Sequence, residues 1–407
     1  MMEMVNTGDT AWVLISTALV VLMTPALGFF YGGMVRKKNI LSTIMLSVAL
    51  LFLISVQWAL FGYSISFGHD HAGLIGGLNW IGLMGVGQAP NAAYAPTIPH
   101  LAFMVFQMAF AVITPALITG AFVERVSFAG FLLFSFLWSC FIYDPVAHWM
   151  WGIGGFLRAL GALDFAGGTV VHLTAGVSAL ALAFVIGKRK GYGKFPMEPS
   201  NIPLTVLGAF LLWFGWFGFN GGSALSAGGL ATSAVVATTL AGSAAGLVWM
   251  IISWIHKRPS LLGASTGAIV GLATITPASG FVSPLSAMII GSVSALISYY
   301  AIIWRVKSGV DESLDVFACH GMGGIVGTLS VGLFAEKAIN PAGANGLFFG
   351  NPGQLGAQAI AVAVIAVFAF VVSYIMAKVI DAVFSLRARE NEEDVGLDIS
   401  QHGETIY

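Results

Sequence analysis

Long apolar runs recur from one end of this 407-residue chain to the other, and that recurrence limits the fold more than any motif does. A run of about 18 residues or more is long enough to cross a bilayer as an α-helix. Eleven spans are read, at 10–33, 40–67, 99–121, 126–147, 165–187, 201–223, 229–255, 260–276, 283–304, 317–335 and 355–385. Only 9% of the residues are charged and 57% are hydrophobic, where a soluble domain carries about 25% charged residues. Too little charge remains to coat a water-soluble globule, so lipid is the main solvent. The alternating segments of an outer-membrane barrel are absent. The expected fold class is all-α, a polytopic membrane protein of eleven transmembrane helices.

The first run is not read as a cleaved leader. Glu3 and Asp9 make its approach acidic rather than basic, and no small-residue cleavage site follows. Cys140 and Cys319 both fall inside spans, which argues against a structural disulfide or a metal site. No HExxH, P-loop or nucleophile-elbow pattern stands in a supporting context. Neither an enzyme nor a cofactor is expected, and nucleic acid is not an expected partner.

Lys and Arg set the orientation. Of the 17 basic residues, 14 fall in the connections after spans 1, 3, 5, 7 and 9 and in the tail after span 11. Arg158 and Lys337 lie on the opposite side, and Lys378 lies within the last span. The positive-inside rule then places the N-terminus outside and the C-terminus in the cytoplasm. An odd number of spans is what this asymmetry requires.

The first ten spans divide into two matching halves. "LGFFYGGMV" (27–35) resembles "FGFNGGSAL" (217–225), "AVITPALITG" (111–120) resembles "ATITPASG" (273–280), and "DFAGGTVVH" (164–172) resembles "DVFACH" (315–320). Matching segments lie five spans apart and so run in opposite directions. This is a five-plus-five inverted repeat, a transporter signature that puts the site near the midplane between the halves. The repeats cover roughly 10–187 and 201–335, with 355–385 as a final helix. Residues 1–386 form the transmembrane domain and 387–407 a cytoplasmic tail.

Two of the eight histidines, His172 and His320, lie inside spans, at matching positions of the repeats. A lone membrane histidine is commonly a satisfied packing residue. A symmetric pair reads instead as a pore lining, because ionisable groups in lipid are costly. Neutral imidazoles each offer one donor and one acceptor, which suits ammonia or a relayed proton better than a bare metal ion. Asp164 and Asp315 precede the pair and read as helix N-caps; Asp164 can also add negative potential near a cation site.

Aromatic residues crowd the outer ends of these spans. Phe106 and Phe110 are four apart on one helix face, Trp151 closes span 4, and Trp216, Phe219 and Ser223 lie toward the outer end of span 6. An interfacial aromatic belt explains many of them. Ring faces beside a hydroxyl acceptor also make a site for an ammonium-type cation.

The segments "DFAGGTVVH", "WFGFNGGSA", "FQMAF", "AFVERVSF", "SLLGASTGAIVGL", "DVFACHGMGGIVG" and "GLDISQHGETIY" together resemble the ammonium transporter family, the Amt/Mep/Rhesus superfamily, and its prokaryotic Amt branch in particular. The resemblance runs from the first span to the last residue. It implies a homotrimer in the cytoplasmic membrane with one pore per subunit. It implies an outer ammonium site of Phe110, Trp151 and Ser223 with Phe106 beside it, Phe110 and Phe219 as gate rings, then His172 and His320, with Trp216 in the lower pore. Asp164 matches the family's buried aspartate. The segment from Trp151 to Asp164 is one residue longer than in relatives, which leaves Trp149 as a competitor for Trp151. The tail, whose composition alone reads as a solvated coil, would instead fold against the cytoplasmic face. There Gly396, Asp398 and His402 would contact a PII-type nitrogen-regulatory protein. Uptake of ammonium and methylammonium is the activity implied; an ammonium sensor and a neutral gas channel are the rivals.

Overall fold

The computed structural model describes residues 5–406, so Glu3 and Tyr407 lie outside the described residues. Ten helices are long and apolar enough to cross a membrane, and a shorter eighth completes eleven spans in the expected order. They are α1 (Thr7–Met34), α2 (Lys37–Phe67), α3 (His100–Ala121), α4 (Phe128–Ala159), α5 (Gly168–Ile186), α6 (Ile202–Gly221), α7 (Gly229–His256), α8 (Leu261–Ile275), α9 (Pro284–Ser308), α10 (Phe317–Phe334) and α11 (Pro352–Phe384). Short polar side chains start several of them. Asn6, Ser127, Asn201, Ser260 and Ser283 each accept a hydrogen bond from a backbone N–H of the first turn. The largest departure from the expected bounds is at α4, which runs past 147 to Ala159 with a break between residues 152 and 155, where three glycines occur.

Helices read from the sequence as counterparts pack on each other. α1 meets α6 where Gly208 leaves no room for a Cβ against Phe30. α5 meets α10 where Gly176 lies against the backbone of Gly321, and Gly324 against that of Leu173. These glycines answer why so many small residues surround His320: two helix backbones cross there in contact. The 33-residue α11, about 50 Å long, lies outside the repeats and keeps most of its surface free for lipid.

Five spans contain a π-turn, at Trp58–Gly62, Ser139–Tyr143, Gly168–Leu173, Phe217–Gly221 and Phe317–Gly321. A π-turn adds one residue to a helical turn and re-aims the side chains around it. The last three carry His172, Phe219 and His320.

The end of the bundle that carries the basic connections is closed by a buried ion network. The Glu124 carboxylate accepts from Arg36 Nε and Arg189 Nη1, both at 2.8 Å, and Arg189 also holds Asp311 at 2.8 Å. Burial pushes the Glu124 and Asp311 carboxyls up, but the facing guanidiniums outweigh it and hold both below the usual carboxylate range.

The tail folds onto this end. A short helix, α12 (Glu390–Val395), is followed by a π-turn at Asp398–His402. The Asp398 carboxylate accepts from the backbone N–H groups of Leu41 and Ser42, capping the start of α2. Lys38 Nζ donates to the carbonyls of Glu393 and Asp394, and Gly396, at φ +110°, lies against Lys38 with no space for a Cβ. His402 is half-buried on the ring of Phe128. The buried Asp398 side chain holds the tail, and Gly396 serves the same contact.

Candidate functional site

A cavity of ≈ 540 Å³ opens at the end opposite the basic connections, and a second of ≈ 300 Å³ opens toward the basic end. Between them runs a lumen of only ≈ 10 Å³, lined by Met23, Leu27, Ile113, Leu117, Val171 and Leu212 together with His172, Trp216, Phe219 and His320. That is about the room one water molecule needs. No charged side chain lines it.

Phe110, Trp151 and Ser223 all line the larger cavity. Trp151 donates its indole N–H to the Asp164 carbonyl at 3.0 Å and stands edge-on to Phe110, with centroids 6.1 Å apart. Trp149 does not compete. It is buried against Phe156 and Phe368 and donates to the Leu74 carbonyl. Ser223 Oγ gives its proton to the Phe219 carbonyl, which leaves its lone pairs free to accept. Phe106 lies beside this site: it is fully buried, packing behind Phe110 at 4.9 Å and against Gly222, and it does not itself line the cavity. Gln107, which sequence reasoning passed over, does line it and carries an unpartnered Oε1. Arg158 is the cation on the same wall, its guanidinium bonded to the Trp151 carbonyl.

The floor of this cavity is closed by Phe110 and Phe219, whose centroids lie 4.3 Å apart with the rings tilted by 47°. His172 stacks beneath Phe219, and His320 follows with ring centroids 5.2 Å from His172 and Nδ1 to Nδ1 at 3.3 Å. His320 also lines the cavity toward the basic end. Trp216 packs on His172 and donates to Thr276 Oγ1 at 2.9 Å. Thr276, a second residue missed, also touches His172 Nε2 at 3.3 Å. Its sequence signal was the Thr-Pro pair shared by 114–115 and 276–277.

Asp164 caps α5 as expected. Its carboxylate accepts from the N–H groups of Gly167, Gly168 and Thr169 and from the Thr169 hydroxyl. Asp315 does not do the same for α10. It sits at φ +59° with its carboxylate on Arg305 Nε at 2.6 Å. The cap there is Glu312, fully buried, which accepts from Phe317 N–H at 3.1 Å. Asp164 lies eight residues before His172 and Glu312 eight before His320, so Glu312 is the true repeat partner. Burial, then the nearby Asp315 carboxylate, push the Glu312 carboxyl up to about 8.

Among the described residues no His, Cys, Asp and Glu group is arranged to hold a metal ion. The arrangement is chemically simple: an aromatic cavity with the Ser223 hydroxyl as acceptor, an apolar constriction, and two imidazoles in series.

Residues 11–407 match the model of the Ammonium Transporter Family. The chain is 51% identical over 400 residues to ammonium transporter Amt1 of Archaeoglobus fulgidus, covering 98% of this chain and 99% of that one. It is 48% identical to the ammonium transporter of Bacillus subtilis, covering 98% of each. The crystal structure of Candida albicans Mep2 superposes with a TM-score of 0.90 at 36% identity, covering 95% of this chain and 88% of that one. A pore of this construction, on a chain alike over its whole length, belongs to the ammonium transporter family.

Proposed function

We propose that the chain takes up ammonium and methylammonium through the cytoplasmic membrane, with the ≈ 540 Å³ cavity facing out. The carrying observation is the uncharged ≈ 10 Å³ lumen with two imidazoles in series beneath an aromatic cavity. An intact ammonium ion entering that lumen would lose its hydration at a cost of the order of tens of kcal/mol if unpaired. Dividing the task avoids this. The faces of Phe110 and Trp151 attract the cation, and Ser223 Oγ accepts one of its N–H groups. At the phenyl gate it gives up one proton to water of the outer cavity. The neutral base passes His172 and His320, and the proton follows separately along the histidine pair to re-form ammonium in the inner cavity, so that net charge crosses. Potassium has no proton to give and stays outside.

The positive-inside rule supports a cytoplasmic tail. The family supports a homotrimer, and three tails around one axis would present a repeated surface to a trimeric PII-type regulator, gaining avidity from weak contacts. On solid-supported membranes bearing the purified protein, ammonium jumps should evoke currents and potassium jumps none. His172→Ala or His320→Ala should remove the ammonium current or admit potassium while assembly persists. Wild-type currents and wild-type potassium exclusion in both variants would end the pore-lining role.

A further inference from the structure

The histidine pair is symmetric in sequence but not in its hydrogen bonds, and the difference traces to one hydroxyl. Thr276 Oγ1 donates its only proton to the Leu272 carbonyl, at 2.9 Å, in the back-bond usual for a helical threonine. It accepts from Trp216 Nε1 at 2.9 Å. One lone pair remains, and His172 Nε2 lies 3.3 Å from it. With no proton left to give, Thr276 can only accept there, so His172 carries its hydrogen on Nε2. His172 Nδ1 is then an acceptor. His320 Nδ1, 3.3 Å away, must supply the hydrogen. His320 Nε2 is left as a lone pair with no protein partner among the described residues. The repeat-equivalent Thr114 back-bonds to the Phe110 carbonyl in the same way, yet makes no bond to His320.

We propose that Thr276 fixes the tautomer of His172 and, through it, that of His320, making it a positioning residue of the pore. The inference rests on the reading of the two histidines as the lining that ammonia passes. Its consequence is a polarised pair. Both nitrogens of His172 are engaged, so the ring just below the gate has no free acceptor. The one open acceptor is Nε2 of His320, the ring that also borders the inner cavity. A proton or an ammonia N–H is therefore received at the inner member of the pair, and the resting orientation of the pair is set from α8 and not by the histidines themselves.

The test is ¹⁵N-histidine solid-state NMR of the protein in lipid bilayers, with no substrate present. His172→Gln and His320→Gln spectra supply the assignments. The expected wild-type pattern is protonated Nε2 with bare Nδ1 on His172, and protonated Nδ1 with bare Nε2 on His320. Thr276→Val removes the acceptor, so the bias of roughly tenfold that such a bond confers should collapse into a mixture of tautomers. Thr276→Ser should restore the single pattern. Trp216→Phe, which removes the other donor and leaves the hydroxyl, should keep it. The opposite wild-type tautomers, or a Thr276→Val spectrum unchanged from wild type, would overturn the proposal. Methylammonium uptake by the wild-type protein, measured in the same preparation, keeps the two readings apart. Uptake with unchanged tautomers sinks the Thr276 role alone, and absence of uptake sinks the transport reading alone.

Discussion

Asp164 and Glu312 show what single residues disclose about such a pore and what they hide. Rare chemistry in an apolar run is easy to see, and His172, His320 and Asp164 stood out for that reason, whereas Phe110 and Trp151 stood out through the family resemblance. Glu312 was missed because Asp315 is nearer in sequence to His320 and resembles a cap; the eight-residue spacing of Asp164 to His172 pointed past it. Thr276 and Gln107 were missed because membrane threonines mostly back-bond and a lone glutamine has no periodicity. Glu312 supplies a pH prediction. Its folded value, about 8, lies above the ordinary glutamate value of 4.5, so the fold favours the protonated acid. Its contribution is whole below pH 4.5 and is lost as pH rises through about 8. Thermal stability in detergent should therefore decline between pH 5 and about 8.5 in the wild type and change less in Glu312→Gln. Arg158 supplies an affinity prediction. A like charge within about 10 Å, one Debye length at 0.1 M salt, opposes cation recruitment. Arg158→Gln should lower the half-saturating methylammonium concentration about two- to fivefold at low salt, with the gap closing as salt rises. Equal values at every ionic strength would remove Arg158 from the recruitment step.

At the level of elements, span count and order followed from hydropathy alone because a bilayer imposes one length on every helix. The ends did not follow so well. α4 overran its expected end because glycines 152, 154 and 155, not a polar segment, break it. The π-turns were invisible, since an inserted residue leaves no mark in an all-apolar sequence. The tail was the element where composition and resemblance disagreed, and its backbone anchors explain the outcome. A charged segment folds here because Asp398, Lys38 and Asn39 exchange hydrogen bonds across α2 and the tail. Asp398→Ala leaves the N–H groups of Leu41 and Ser42 without that acceptor, and Gly396→Ala drives a Cβ into Lys38. Each should make residues 390–406 susceptible to limited proteolysis while the eleven spans stay resistant. Cleavage kinetics equal to wild type in both variants would show that these contacts do not hold the tail.

The whole molecule was legible in its span count and family, because hydropathy and a run of motifs extend along nearly the whole chain. α1 packs on α6, and α5 on α10, at glycine crossings, and His172 and His320 meet with Nδ1 to Nδ1 at 3.3 Å. The two halves differ at the caps, where one uses Asp164 and the other Glu312, and at Thr276, which bonds His172 while Thr114 makes no bond to His320. The central claim is that an aromatic cavity above a neutral, one-molecule lumen passes ammonium nitrogen and refuses alkali cations. Its most direct measurement is tracer uptake into proteoliposomes of the purified protein, comparing ¹⁴C-methylammonium with ⁸⁶Rb⁺ as a potassium surrogate. Uptake of methylammonium that unlabelled ammonium competes away, with rubidium at the level of protein-free vesicles, is the predicted result. Rubidium entry at a rate comparable to methylammonium would contradict the account.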